Sequence, residues 1–371
     1  MSPNQNSRGR GDGLKFLWPV FLVVIFNLCA GGSAHGNLVI NVTFDSTITS
    51  DPNAATIEGT INSVIALYQA SFSDPVTVAI TFHETSSGLG SSSTYYNVGI
   101  SYSSIHAKLV AGATTVNDTK ALAHLPNTTA NPANGSTTME LTLPNGRALG
   151  FSGSDWNPPA GQPDGDIYLN TALMNLTRTS INPSKYDLFA VAAHEVDEVL
   201  GLSSALDNLN NGDPAPTGDV DSMDLFRYDQ NGNRSFNTTL SSQAWFSLDG
   251  TTRLVRFSQD DTGDFHDWYS PGGQTPRVQD AFATQGATPD PTVELIALDV
   301  IGYHFLVPTI AIANAGNGVA TISWSPNTPG FALQENTNLL SAAWHNSASG
   351  TNNPATITNR TPLKFYRVFH P

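Results

Sequence analysis

From Leu38 to Phe44 apolar and polar residues alternate, the two-residue period of a half-buried strand. Past the break at Asp51-Pro52 the period changes: Ile57, Ile61, Val64, Ile65, Tyr68 and Phe72 recur at three- and four-residue steps, which predicts an amphipathic helix. Asp74-Pro75 ends it, and Val76 to Phe82 reads as a second strand. Strand, helix, strand in this order implies an α/β layer. Ser86 to Thr94 is rich in Gly and Ser and reads as a loop, and Tyr95 to Asp118 shows no clear period beyond a short helix around Ser103 to Leu109. Met139 to Leu143 and Ala148 to Phe151 read as strands flanking an Asn145-Gly146 turn, with a further strand over Asp164 to Asn170.

The most informative pattern lies between Asn182 and Asp207, NPSKYDLFAVAAHEVDEVLGLSSALD. Pro183 suits a first helical turn and Ser184 with Asp187 resembles a capping box. Leu188, Phe189, Val191 and Ala192 supply apolar positions at helical spacing, and Gly201 offers a stop. On such a helix His194 and Glu198 share one face while Glu195 projects about 100° away. Beyond it come an acidic loop from Asp207 to Asp221, a turn at Asp229 to Asn233, and a hairpin of Trp245 to Asp249 with Arg253 to Phe257 around Gly250. A Gly-rich loop from Asp260 to Gly273 carries Asp261, Asp264, His266 and Asp267, and Leu295 to Ile301 is an apolar run placed to close the core. After Pro308 six short apolar runs separated by Gly, Pro and Asn clusters have the spacing of a small β-sandwich: 310–313, 319–325, 331–334, 342–344, 355–358 and 365–369.

A length of 371 residues favours two domains plus a targeting segment. Arg8, Arg10 and Lys15 precede an apolar run from Phe16 to Leu28 that ends in small residues at Gly32-Ser33-Ala34, the layout of a secretory signal peptide. The run is too short, and interrupted by Pro19, for a permanent span. The expected division is therefore 1–34 as signal peptide, 35–306 as the main domain and 307–371 as the sandwich, with the protein secreted or held at the cell surface or in the periplasm. Cys29, the single cysteine, falls in the leader, so the exported chain rests on packing and on metal rather than disulfides. A formal charge of −15, with only 13% charged residues and no Lys/Arg-rich stripe, argues against nucleic acid as partner.

His194, Glu195 and Glu198 occupy the spacing of the H-E-x-x-H helix, in which i, i+4 ligands hold Zn²⁺ and the intervening glutamate is a general base. With Gly201 behind them and Met223 beyond the acidic loop, residues 38–303 resemble the metzincin-like zinc metallopeptidases, in particular secreted bacterial ones. The resemblance implies an α+β fold, a twisted mixed sheet carrying an active-site helix, followed by a small all-β accessory domain. It also implies a Zn²⁺ cofactor, a protein or peptide substrate, Met223 as a floor beneath the metal, and Gly165 to Asn170 as the edge strand that an extended substrate joins. Two positions depart from that pattern. Glu198 stands where the second histidine falls and Ser204 where the third does. Relatives reading H-E-x-x-H-x-x-G-x-x-S-x-x-D place a ligand on Asp207, so the expected set is His194, Glu198 and Asp207 with Glu195 as base.

The bland readings run beside these. Glu198 is equally a solvated partner that orients His194, Asp207 a turn former, and Met223 a core residue. His266 reads as a surface histidine, a replacement third ligand being the other possibility, and His83, His106 and His124 as structural or exposed. The competing function is a metal-free domain serving, with the sandwich, as an extracellular binding or adhesion module.

Overall fold

The computed structural model describes residues 37–210, 219–289, 291–316, 319–325, 331–338, 344–358 and 364–369. The signal-peptide reading and Cys29 lie outside them. Chain order runs β1 (Val39–Phe44), α1 (Ser46–Thr49), α2 (Ala54–Ser71), β2 (Thr77–Glu84), β3 (Gly90–Thr94), β4 (Tyr96–Ser101), α3 (Tyr102–Gly112) and α4 (Val116–Leu122). There follow β5 (Thr138–Thr142), α5 (Leu143–Ala148), β6 (Gly165–Leu169), β7 (Met174–Asn175), β8 (Tyr186–Asp187), α6 (Leu188–Leu200) and α7 (Leu206–Asn210). Three two-residue strands, β9 (Arg227–Tyr228), β10 (Trp245–Phe246) and β11 (Val255–Arg256), precede α8 (Thr292–Val300). The protein is thus mixed α+β with several small sheets, and none of its described helices is long and apolar enough to cross a membrane.

The main sheet has the order β1-β2-β6-β3. Its first three strands are parallel, and β3 runs antiparallel to β6, with Gly90 opposite Leu169 and Thr94 opposite Gly165. The apolar stripe on α2 does what its spacing predicts: Ile57, Ile61, Val64, Ile65 and Tyr68 are buried in the main core with β1 and β2. Edge and interior are exchanged relative to the sequence reading. Gly165 to Leu169 is an inner strand, and the edge is the Gly/Ser stretch that reads as a loop. Serine alternation carries no hydrophobic signal, so only pairing with β6 makes Gly90–Thr94 a strand.

A second correction concerns Ala148 to Phe151, which forms no strand. Leu143–Ala148 is instead a helix, with Pro144 in its first turn and the Thr142 hydroxyl capping Asn145 N–H at 3.2 Å. A β-carbon on Gly146 would collide with the Trp156 ring, so this glycine permits close packing rather than a hairpin turn. The expected helix and hairpin are present, as are strands within 310–313, 319–325, 331–334, 355–358 and 365–369; of the run 342–344, residues 342 and 343 lie outside the described residues and 344 is in no strand. α3 covers Ser103 to Leu109, and β10 pairs antiparallel with β11. Leu295 to Ile301 lies within the buried α8 and its C-terminus. After residue 308 come β12 (Thr309–Gly316), β13 (Val319–Ser325), β14 (Ala332–Asn336), β15 (His345–Asn346), β16 (Ala355–Thr358) and β17 (Phe365–Phe369). They form two three-stranded sheets, β12-β13-β16 and β15-β14-β17, around a separate apolar cluster of Ile322, Trp324, Leu333 and Ala355.

His83 ties the sheet to the loop after β1. Its Nδ1 lies 2.8 Å from Asp45 Oδ2, its Nε2 lies 2.9 Å from Asp166 Oδ1, and its ring stacks on Tyr168 at 4.5 Å. Burial disfavours the imidazolium, but the hydrogen bonds to Asp166 and Asp45 outweigh it and raise the pKa. A raised folded pKa contributes stability fully present below about pH 6.5, the unfolded value, and lost as pH climbs through the folded one. The stability difference between wild type and His83→Gln is therefore expected to be largest near pH 6 and to shrink toward pH 9. Denaturant melts across that range check it, and a pH-independent difference would remove the charged clamp.

Candidate metal centre

Helix α6 begins four residues later than the cap pattern predicts. Tyr186–Asp187 is drawn off as β8, parallel to Met174–Asn175, and the Asp187 carboxylate is engaged by Arg178 (Nη2 at 2.5 Å, Nε at 2.8 Å) instead of capping the helix. The end is as expected: Gly201 closes the helix at φ +125°, a conformation open to glycine, with its N–H returned to the Asp197 and Glu198 carbonyls. The helix lies tight on the sheet because Gly165 has no side chain, since a β-carbon there would come within 2.6 Å of Val199. Ala190, Val191, Ala192, Ala193, Val196 and Val199 are buried, which turns His194 and Glu198 toward a cleft.

The two histidines of the site are each oriented through one ring nitrogen. His194 Nδ1 lies 3.1 Å from the Val278 carbonyl, which sets it as the N–H donor and frees Nε2. That Nε2 is 3.3 Å from Glu198 Oε1 and 3.6 Å from Asp267 Oδ1. His266 Nδ1 lies 2.8 Å from Asp207 Oδ2, and its Nε2 is 3.0 Å from the same Glu198 oxygen and 3.6 Å from Asp267 Oδ1. An imidazole held by a carbonyl or carboxylate on one nitrogen and presenting the other is the arrangement of metal-bound histidine. The remaining Glu198 oxygen accepts from Ser92 Oγ of β3 at 2.6 Å. Asp267 Oδ1 accepts from Gln279 Nε2 at 2.9 Å.

Among the described residues, two groups are able to hold a metal ion, with ligand atoms within 4.8 Å of one another: His194, Glu198 and Asp267, and Glu198, Asp264 and His266. His194 and Glu198 thus stand together as predicted. Asp207 does not join them. Its carboxylate is spent on His266 Nδ1 and on the Phe265 N–H at 2.5 Å, so it supports a candidate ligand rather than acting as one. Nor is His266 a surface residue: it is 7% exposed, and Asp267 is 3% exposed. The local signal was Phe265-His266-Asp267-Trp268, two polar residues bracketed by aromatics that are both wholly buried. Ser204, at the expected third-histidine position, donates to Asp224 Oδ1 at 2.5 Å, and Met223 is buried in the main core. His106 is structural, buried with Nε2 3.2 Å from the Leu125 carbonyl.

Electrostatics agree with a site built for cations. Burial disfavours the imidazolium of His194, yet Asp267 and Glu198 outweigh it and lift its pKa well above the ordinary value. The same holds for His266, where Asp207 is the chief opposing group. Burial pushes Asp267 up to about 7. Glu195 is 4% exposed, and burial followed by the Glu198 charge raises its pKa well above the carboxylate range. It lies against the edge strand: a β-carbon on Gly90 would collide with Glu195 Oε1 and come within 2.7 Å of Val191 Cγ1.

Two clefts meet here. One, of about 560 Å³, runs between Gly88–Ser92 and Arg277–Thr284 and exposes His194 and Glu195. The other, of about 500 Å³, lies past Glu198 and is lined by His266, Asp207 and Ser204. Compared with family models, curated proteins and solved structures, the chain matches none.

Proposed function

We propose that this protein is an exported metal-dependent peptidase of metzincin-like type, with Zn²⁺ as its ion. The observation that carries the reading is the grouping of His194 Nε2, Glu198 Oε1 and Asp267 Oδ1 beside a cleft, with His194 oriented by the Val278 carbonyl. One nitrogen and two carboxylate oxygens suit Zn²⁺, and both histidine and carboxylate are among its usual ligands. A dication held there polarises a substrate carbonyl and makes water easier to deprotonate.

The chain's own residues supply the rest. Glu195 sits beside Gly90 at the cleft edge, able to take a proton from the attacking water and pass it to the leaving amine. Strand β3 offers an antiparallel edge along the same cleft, where an extended peptide finds backbone partners. Ser92 pins Glu198 from that strand, which couples the binding edge to a metal ligand.

The test is metal content followed by cleavage. Protein expressed in metal-replete medium should carry at least one Zn²⁺ per chain, and cleavage of a mixed peptide library should stop with a chelator and return with Zn²⁺. A chain without stoichiometric metal would leave the extracellular binding module as the better reading.

A further inference from the structure

The geometry points to a second cation in this site, held by His266 and Asp264 and sharing Glu198 with the first. The proposal rests on the metal-dependent reading above and adds to it. It starts from two overlapping sets of candidate ligands, His194 with Glu198 and Asp267, and His266 with Glu198 and Asp264, with Asp267 Oδ1 3.6 Å from each Nε2. The two imidazoles do not fall in one set. Each Nε2 lies close to the same Glu198 oxygen, at 3.3 Å and 3.0 Å.

The clefts divide in the same way. His194 and Asp267 line the larger one, and His266 lines the other. Ser92, Glu198 and Asp264 line both, so the shared glutamate forms the ridge between two openings. An ion at each histidine would therefore have its own access. His266 is also oriented as a metal-bound histidine would be, because Asp207 holds its Nδ1 and is itself fixed by the Phe265 N–H.

Charge supports the same conclusion. Glu195, Glu198, Asp207, Asp264 and Asp267 bring five carboxylates to two imidazoles, and Glu195 and Asp267 among them are buried. Burying carboxylates is costly unless opposite charge accompanies them. The donor set of one imidazole and two carboxylates matches that of the first group, so both positions suit the same borderline ion.

The experiment is a Zn²⁺ titration of the metal-stripped full chain, with bound metal counted after gel filtration. Two equivalents are expected for wild type. His194→Asn and His266→Asn should each retain one, and Glu198→Gln should weaken both. Because His266 is buried, the exposed Asp264→Asn provides the variant that spares the fold; its second equivalent should bind at least tenfold more weakly while the first is unchanged. Saturation of wild type at one equivalent overturns the second site and leaves the peptidase reading standing. Loss of all metal in both histidine variants also overturns it, since it means one ion held by both rings. Unaltered binding of two ions by Asp264→Asn overturns the assignment of Asp264, and no binding at all overturns both readings.

Discussion

Glu195→Gln is expected to lower turnover by roughly 10²- to 10⁴-fold, the usual contribution of a positioned general base, while leaving Zn²⁺ content and KM nearly unchanged. The substitution keeps the shape of a side chain that packs against Gly90, so packing gives no reason for misfolding. It removes the ability to hold and release a proton in a group whose pKa is raised by burial and then by Glu198. The amide also removes like-charge repulsion against Glu198, so unchanged or slightly tighter metal binding accompanies the loss of rate. Steady-state cleavage kinetics with parallel metal analysis read both effects. Turnover within tenfold of wild type would exclude Glu195 as the base, and a parallel loss of metal would make it a structural support instead.

Glu294→Ala is the substitution expected to cost the most stability. Glu294 on α8 is fully buried, and its Oε1 accepts from Trp268 Nε1 at 2.8 Å and from the Gln279 N–H at 3.0 Å. Trp268 follows His266 and Asp267 in the chain, Gln279 follows Val278, and the Gln279 amide donates to Asp267. One carboxylate on a core helix therefore anchors both segments that complete the candidate metal centre. Truncation leaves two buried donors without an acceptor at about 1–3 kcal/mol each, with a cavity beside Trp268 in addition. A loss of roughly 3–5 kcal/mol is expected, with metal affinity reduced about 10- to 100-fold through displaced ligands.

Glu294→Gln should behave differently. It keeps an acceptor for Trp268 and Gln279, while its new N–H₂ replaces Glu294 Oε2, a buried oxygen without a partner. Burial and then the Glu294 charge raise the pKa of the buried Asp197 carboxyl well above the carboxylate range, with Tyr68 as the opposing hydrogen-bond partner. Replacing one of two buried carboxylates by an amide relieves repulsion and offers a donor, so stability equal to or above wild type is expected. Denaturant melts of the metal-free variants measure the difference. A glutamine variant as unstable as the alanine one would show that charge at Glu294, rather than its acceptor geometry, holds these segments.

How much of the site was legible follows from where its parts lie in the chain. His194 and Glu198 were readable because helical periodicity places i and i+4 on one face wherever the helix forms. Gly201 was readable because only a residue tolerant of positive φ ends it that way. The family resemblance places a ligand on Asp207, but a motif does not say which way a carboxylate turns. Here it turns to His266, 59 residues further along. His266 and Asp267 come from a loop without period, and their burial depends on Trp268, Gln279 and Glu294, contacts that no local window contains.

The sequence by itself determined the elements whose signal is periodic: the α2 stripe, the paired strands around it, the α6 helix with its glycine stop, and most of the short strands after residue 308. Tertiary structure alone decided which strand became the edge and which carboxylates face the histidines. The physical reason is shared by both outcomes. A serine-rich strand and a Gly-rich ligand loop gain little from local conformation and are held by partners distant in sequence. Their structure is therefore specified by the β6 ladder and by Glu294, and not by their own residues.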